Sequence, residues 1–498
     1  MQSIDISQKV NIFEILKNKT SLSPHNYKKV NFGAIKVKPL IEFVRGDLIK
    51  GEEVGSDAYI SKSHKFFIRN KALQADSFTF NFSGGSVVPI LPDRFINLSL
   101  KEGDVIISKD SNIGEVIILD RDYPNHMLSG GLIKISVEPK YYLFAFLKND
   151  LFKTQVEALI SKGATIKHAK KLFLDALIPL PNQKNTDNVF RYFEVLVKAV
   201  VNKEKQIKDK ESEIFGVIET ELLAHQKADV FKYQFPDIRS IATTSRIDAG
   251  FYSETYVREQ FIISNYVGGS GTIKDWGFNI GRGQNLQESA IGKSIYSDEA
   301  KENYYTLVRP TSLSDFGTVT RYEYLGSASK LDTIAEGDII FSAEGSVGKC
   351  VMFANPKQRL ITNIHGIVLD KKNRNKTESA FVTCFFRYLR KVGVLDYISV
   401  GGQGGSLAMK YWSEIKLPFF PQEQILTVAR LYHKNFPYKI GVTSLDNFEE
   451  KDKEVGSKFG ILELDAQIKT LKKKVDSLVK MVVAGKKIDI NFDFINDF

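Results

Sequence analysis

Few residue patterns in this 498-residue chain could perform chemistry, and most fail on spacing. Gly292-Lys293-Ser294 ends as a phosphate-cradling loop ends, but such a loop needs a glycine five positions before Gly292, where Gln287 stands. FNIGRG, Phe278 to Gly283, has the glycine density of a cofactor loop without the flanking strand and acid. No Asn-Pro-Pro-aromatic tetrad for amino-methyl transfer occurs. The seven histidines show no His-x-x-x-His spacing, and Cys350 and Cys384 stand without nearby partners, so neither a metal set nor a disulfide framework is expected. Pro92-Asp93 and Pro236-Asp237 could open a metal-dependent nuclease pattern, but no acid-x-Lys strand follows either at a suitable distance. With no nucleophile, metal site or cofactor loop, the chain reads as a binding protein and not an enzyme.

The elements around these residues repeat. EGDVIISKDSNIGEVIILD runs from Glu102 to Asp120, and EGDIIFSAEGSVGKCVMFA from Glu336 to Ala354, at a constant offset of 234. Glu102/Glu336, Gly103/Gly337, Asp104/Asp338, Ile106/Ile340, Ser108/Ser342 and Gly114/Gly348 are identical. Each copy reads as a Gly-Asp turn, a buried strand, a polar loop closed by glycine and a second strand. Asp104 and Asp338 could be read as catalytic carboxylates, but a Gly-Asp turn before a strand fits local backbone hydrogen bonding better. A second match follows in the same order: a glycine-containing loop (161–170 and 401–410), then KLFLDALIPLP from Lys171 and KYWSEIKLPFFP from Lys410. Two matches in one order indicate a duplicated unit.

After each proline-rich exit the periodicity turns helical. Val189, Phe193, Leu196, Val200, Ile207, Ile214 and Ile218 fall at steps of three, four or seven, with KEKQIKDKESE read as the exposed outer face. Ile461, Leu464, Ile468, Leu471, Val475, Leu478 and Val482 alternate steps of three and four, a heptad seam that needs another helix. The expected arrangement is an antiparallel pair, the first helix roughly 55 Å long. Residues 438–460, with the acidic run FEEKDKE, read as an insertion. The expected fold is α+β: two similar mixed α/β domains joined by long antiparallel coiled-coil-like helices in a pseudo-two-fold internal repeat. The boundaries fall at 1–23 (N-terminal segment), 24–181 (first domain), 182–228 (central helix), 229–421 (second domain), 422–484 (C-terminal helices) and 485–498 (tail).

Lys and Arg number 69 against 59 acidic residues, a surplus of +10 that suits a polyanionic partner. No apolar run is long enough to span a bilayer and no secretory signal opens the chain, so a cytoplasmic location and no membrane partner are expected.

The repeated order of GD-apolar-Ser-loop-Gly-apolar, glycine loop, IPLP-type exit and long helix resembles the specificity subunit of Type I restriction-modification systems. SRIDAGFYSETYVREQ, Ser245 to Gln260, is similar to the opening of that family's second half. The first half departs from it, with SPHNYKK standing where an Arg-Ile-Asp-Ala opening belongs. The resemblance implies two target recognition domains reading a bipartite double-stranded DNA target and docking two methyltransferase subunits. S-adenosylmethionine would act on that methyltransferase partner, and ATP and Mg on a restriction-translocase partner where one is present; none is expected in this chain. Helix length would set half-site separation.

Candidate DNA contacts are the hairpin loop Lys109, Asp110, Ser111 and Asn112 and the loop Lys162, Gly163, Thr165, Lys167 and His168 in the first domain. In the second they are Glu344, Ser346 and Lys349 with Gln403, Gly404, Ser406 and Lys410. Glycines permit close approach to phosphates, and short polar side chains pair with base edges. The stretches 56–81 and 281–303 are further places for readout. Two other readings remain: a specificity subunit of a methyltransferase-only or other restriction system, and a coiled-coil scaffold that never touches DNA.

Overall fold

The computed structural model describes residues 35–159, 171–401, 405–434 and 443–496, with 4–6, 12–17, 28–30, 32 and 441. The chain divides into two compact units: Met1–Gln206 with Pro437–Ser457 and Leu464–Phe498, and Ile207–Phe436 with Lys458–Glu463. Among the described residues no helix is long and apolar enough to cross a membrane.

In the first unit β1 (Ile4–Ile6) pairs antiparallel with β2 (Lys28–Val30), with α1 (Ile12–Lys17) between them in the chain. Strand β3 (Val37–Pro39) pairs with β11 (Leu177–Pro179), so the two ends of the domain are tied together. Between them lies an antiparallel sheet of order β4 (Ile49–Lys50), β10 (Leu132–Ile135), β7 (Val105–Ser108), β8 (Val116–Ile118). A second sheet has the order β6 (Val87–Pro89), β5 (Phe66–Ile68), β9 (His126–Leu128), with β5 and β9 parallel. Helices α2 (Lys140–Lys148) and α3 (Asp150–Leu159) follow, and α2 packs on β8. Every residue of β7 and β8 is buried, which is why these strands read as unbroken apolar runs rather than alternating ones. Ile106, Ile117, Leu119, Leu132 and Phe80 form their core, each side chain contributing about 1.5–3 kcal/mol of gross burial energy.

The second unit opens with α5 (Ile238–Thr244) and α6 (Glu254–Ser264), capped by the side chains of Asp237 and Ser253. Strand β12 (Ser270–Gly271) pairs with β21 (Leu417–Pro418) as β3 does with β11. The central sheet has the order β13 (Asn279–Arg282), β20 (Gly366–Asp370), β17 (Ile339–Ser342), β18 (Cys350–Met352). After the one-turn α7 (Glu288–Ile291), a second sheet has the order β14 (Ser294–Ser297), β16 (Glu323–Ser327), β15 (Tyr305–Val308), β19 (Leu360–Thr362), with β15 and β19 parallel. Helix α8 (Lys376–Lys391) packs on β18 and is followed by α9 (Val394–Ile398).

The sheet order is therefore the same in both units, except that the second adds β14. The register is the same to the residue. Val105 faces Ile118 and Ile135, and Ile339 faces Met352 and Leu369, each 234 positions on. The α+β class and the internal repeat are both visible in the backbone.

Helix α4 (Thr186–Ala224) is a single 39-residue helix, about 58 Å long. The C-terminal helices are α10 (Gln422–Tyr432), α11 (Phe448–Lys458) and α12 (Ile461–Val483). Unit boundaries fall inside α4, at the end of α11 and inside α12. Within the first unit the C-terminal stretch runs back along α4: Lys472 Nζ lies 2.7 Å from Glu204 Oε1, and Ile488 N donates to Gln183 Oε1 at 2.9 Å. The twelve seam positions Val189, Phe193, Leu196, Val200, Ile207, Ile214, Ile461, Leu464, Ile468, Leu471, Val475 and Leu478 are at most 5% exposed.

One sequence reading needs correction. KEKQIKDKESE is not simply an outer face, because Lys203 is 1% and Glu204 9% exposed. Lys203 pairs with Asp452 of α11, and Glu204 accepts from the amides of Phe78 and Thr79 and from the Thr79 hydroxyl. Burial lowers the Lys203 pKa while Asp452 opposes the shift. The 438–460 stretch carries α11, and this ion pair ties that helix to α4 within the first unit.

Candidate nucleic-acid interface

The glycines, aspartates and serines shared by the two hairpins each have a backbone reason. Gly103 and Gly337 adopt φ of +82° and +84°, and their amides donate to Leu119 O and Phe353 O, both at 2.8 Å. Asp104 Oδ2 accepts from the Lys101 amide at 2.8 Å, and Asp338 Oδ2 from the Ala335 amide at 2.7 Å. These carboxylates hold the turn, as the Gly-Asp reading expects. Ser108 Oγ donates to Asp110 O at 2.7 Å, and Ser342 Oγ to Glu344 O at 3.1 Å, folding the loop back on its strand. Gly114 and Gly348, at φ +79° and +87°, close it with amides donated to Ser108 O and Ser342 O. The shared glycines, aspartates and serines thus serve main-chain geometry, while Glu102 and Glu336 pair with Lys205 and Lys376, and the tips are left free to differ.

In the first unit the tip is tied to the residues just beyond the ends of β5 and β9. Asn70 Nδ2 donates to Asp110 O at 3.0 Å and Asn70 Oδ1 accepts from Ser129 Oγ at 2.7 Å. Lys109 and Asp110 pair at 3.0 Å, with side chains only 16% and 15% exposed. Ser111 and Asn112 are exposed, and Asn112 Nδ2 reaches Leu73 O at 3.4 Å. Ser111 sits at φ +61°, a left-handed conformation costly for serine, where the second unit has Gly345 at φ +74°. The other candidates of this unit, Lys162, Gly163, Thr165, Lys167 and His168, lie outside the described residues.

In the second unit the hairpin tip and the glycine loop meet, although they are separate in sequence. Glu344 bridges to Ser406, Leu407 N donates to Ala343 O at 2.8 Å, and Gly345 N to Gly405 O at 3.2 Å. Ser346 is exposed at the tip, its amide on Glu344 O. Glu344 Oε2 lies 2.5 Å from His365 Nδ1, and Glu344 Oε1 lies 3.9 Å from Arg282 Nη1. Arg282 also donates to Ile364 O at 3.3 Å. Lys410 opens the following turn with its ammonium 4.8 Å from the Tyr411 ring centroid. Gln403 and Gly404 lie outside the described residues.

Lys349 is not free at this tip. It pairs with Asp315 at 3.3 Å, which Arg390 also engages at 2.5 Å. Burial would raise the Asp315 pKa, but Lys349 and Arg390 hold that carboxyl below the usual range. Arg387 Nε donates to Asp315 O at 3.2 Å, and Arg387, 4% exposed, pairs with Glu211 of α4. A polar chain therefore connects the hairpin to the second half of α4. Burial pushes the Glu211 carboxyl up, with Arg387 opposing. In the first unit the same hairpin position carries the opposite charge and is held by α2 and α3. Glu115, the counterpart of Lys349, pairs with Lys153 at 2.7 Å and lies 3.4 Å from the buried Lys148. Burial takes the Lys148 pKa down to about 8 against the pull of Glu115.

Sequence reasoning missed His365 and the Asp315–Arg387–Glu211 chain, and reached Asn70 and Arg282 only as unnamed members of the stretches 56–81 and 281–303. Only Arg282 left a signal, a cation followed by glycine that Lys50-Gly51 shares. Among the described residues no cluster of His, Cys, Asp and Glu could hold a metal.

No family model and no curated protein matches the chain. Solved structures similar to it over nearly its whole length include a Type I restriction-modification system S subunit from M. genitalium. That match has 15% identity, covers 93% of this chain and 99% of that one, and has a TM-score of 0.39. The HsdS subunit from Thermoanaerobacter tengcongensis matches at 14% identity over 92% and 99%, with a TM-score of 0.26. A chain from a study of complex assembly and conformational transition of the type I R-M system matches at 13% identity over 91% and 99%, also with a TM-score of 0.26.

Proposed function

We propose that the chain is a sequence-specific DNA-binding specificity subunit of a Type I restriction-modification complex. Each unit would read one half of a split duplex target, and the chain would dock two methyltransferase subunits. The observation that carries this is the identical register of the two hairpin sheets combined with their different tips. Invariant backbone support with variable polar side chains is what two readers of different short sequences require. The net charge of +10 favours a polyanionic partner. The continuous 39-residue α4 would set the unread gap between the halves. The chain would supply positioning and base contacts; S-adenosylmethionine would act on the methyltransferase partner, and ATP and Mg on a restriction partner.

Selection of randomised duplexes by the purified full-length chain tests the reading. The expected product is two short blocks separated by a constant unread gap, with affinity falling about a thousandfold or more between roughly 50 and 200 mM salt if six or more phosphates are neutralised. Salt-independent binding, or no enrichment at all, would contradict it.

A further inference from the structure

The two units place a cation at the same point of the frame, outside the loops that the repeat singles out. Arg282 faces Ile367 at the end of β13, and Lys50 faces Ile133 at the end of β4; Ile133 and Ile367 are one repeat of 234 apart. The next residue is glycine in both. Gly51 N donates to Leu132 O at 3.0 Å and Gly283 N to Gly366 O at 2.8 Å, again one repeat apart. A Cβ on Gly51 would come within 2.2 Å of Ser129 O, and one on Gly283 within 2.2 Å of Asn363 O, the repeat counterpart of Ser129. Close backbone approach thus demands glycine at both places and fixes the preceding cation at the strand end. Both cations are exposed.

They differ in how they are held. The Arg282 guanidinium is anchored by Ile364 O and by Glu344, whose second oxygen is engaged by His365. With one nitrogen so fixed, its other N–H groups form an oriented fork, and the side chain is 44% exposed. A phosphate contact needs only charge on a flexible stem, whereas reading O6 and N7 of guanine needs a fork of set direction. In the first unit Asp110, the counterpart of Glu344, pairs with Lys109 instead, and among the described residues Lys50 has no ion pair.

Resting on the function proposed above, we propose that Arg282 reads a guanine in the half-site of the second unit, with Glu344 as its positioning residue. Lys50 occupies the equivalent place in the first unit and discriminates less sharply. The fork-like guanidinium braced by a carboxylate at a strand end, repeated as a bare lysine in the other copy, is the juxtaposition that carries this.

The same selection, run with variants of the full-length chain whose unfolding curves match the wild type, tests it. Arg282→Ala should relax guanine preference at one base pair of one block by about ten- to a hundredfold, leaving the other block intact. Glu344→Ala should weaken that same preference several-fold, and Glu344→Gln, which keeps an oxygen facing the guanidinium, should restore part of it. Lys50→Ala should alter only the other block, and by less. If Arg282→Ala lowers affinity for all sequences alike, Arg282 is a phosphate contact and the inference falls. It falls equally if the motif is unchanged, or if both cations affect one block. A wild-type chain that selects no motif would take down the underlying function as well.

Discussion

The two units are one backbone plan with two sets of side-chain locks. Where main-chain geometry dictates the residue, the copies agree: Gly103/Gly337, Asp104/Asp338, Ser108/Ser342 and Gly114/Gly348 all serve hydrogen bonds of the same pattern. Where a side chain locks the loop, they diverge and even change sign. Glu115 is held by lysines from α2 and α3, while Lys349 is held by Asp315. His126 in β9, stacked on Phe66 and Phe82, is replaced by Leu360 in β19. Backbone-supporting residues are costly to change, whereas a charged pair can be exchanged for its inverse if both members change. Such a frame can carry different surface side chains without losing its register.

The largest effect should come from breaking the second unit's tie to α4. Glu211→Ala leaves Arg387 buried and unpaired, and should cost that unit about 3–5 kcal/mol in denaturant unfolding. The double variant Glu211→Leu with Arg387→Met should recover most of the loss, while the first unit's transition stays put. If Glu211→Ala costs under about 1 kcal/mol, the polar chain from hairpin to helix is not a structural tie.

Next in size is a pH dependence that separates the units. Burial takes the His126 pKa from 6.5 down to about 4, so the folded first unit holds a neutral imidazole while the unfolded chain protonates below about 6.5. The unfolded state therefore binds more protons in this window. Stability is full above about pH 6.5, falls by about 3 kcal/mol as the pH drops to about 4, and loses nothing further from this group below that. His126→Leu, which installs the second unit's residue, should remove this component when its stability–pH curve is subtracted from the wild type's. Parallel curves for the two proteins would contradict the assignment.

The smallest effect tests the tips. Ser111→Gly relieves a left-handed serine and should stabilise the first unit by about 0.5–1 kcal/mol, whereas Gly345→Ser should destabilise the second by about 1 kcal/mol. Equal and negligible shifts in melting temperature would mean that the tips carry no backbone strain.

What the sequence made legible follows the same division. The hairpin frame was readable because its glycines, aspartates and serines answer to their immediate neighbours. The seam was readable because steps of three and four report one buried helix face, down to Ile214 and Leu478. Lys203 and Glu204 were misread as outer residues because their partners are far away in the chain: Asp452 is 249 positions distant and Phe78 is 126. Arg282 and Lys50 were invisible as a pair because a strand of two residues in one copy faces one of four in the other, so only register aligns them. The meeting of Glu344 with Ser406 likewise depends on long-range closure of the second unit.

The most direct test of the account is a map of modified bases in a methylation-free host that carries a methyltransferase subunit selected for binding to this chain, with or without the chain. The account predicts an adenine-modified motif of two blocks around a fixed gap, present only when the chain is expressed. Modification that persists unchanged without the chain, or that falls on a single uninterrupted motif dependent on it, would contradict two units each reading half of the target.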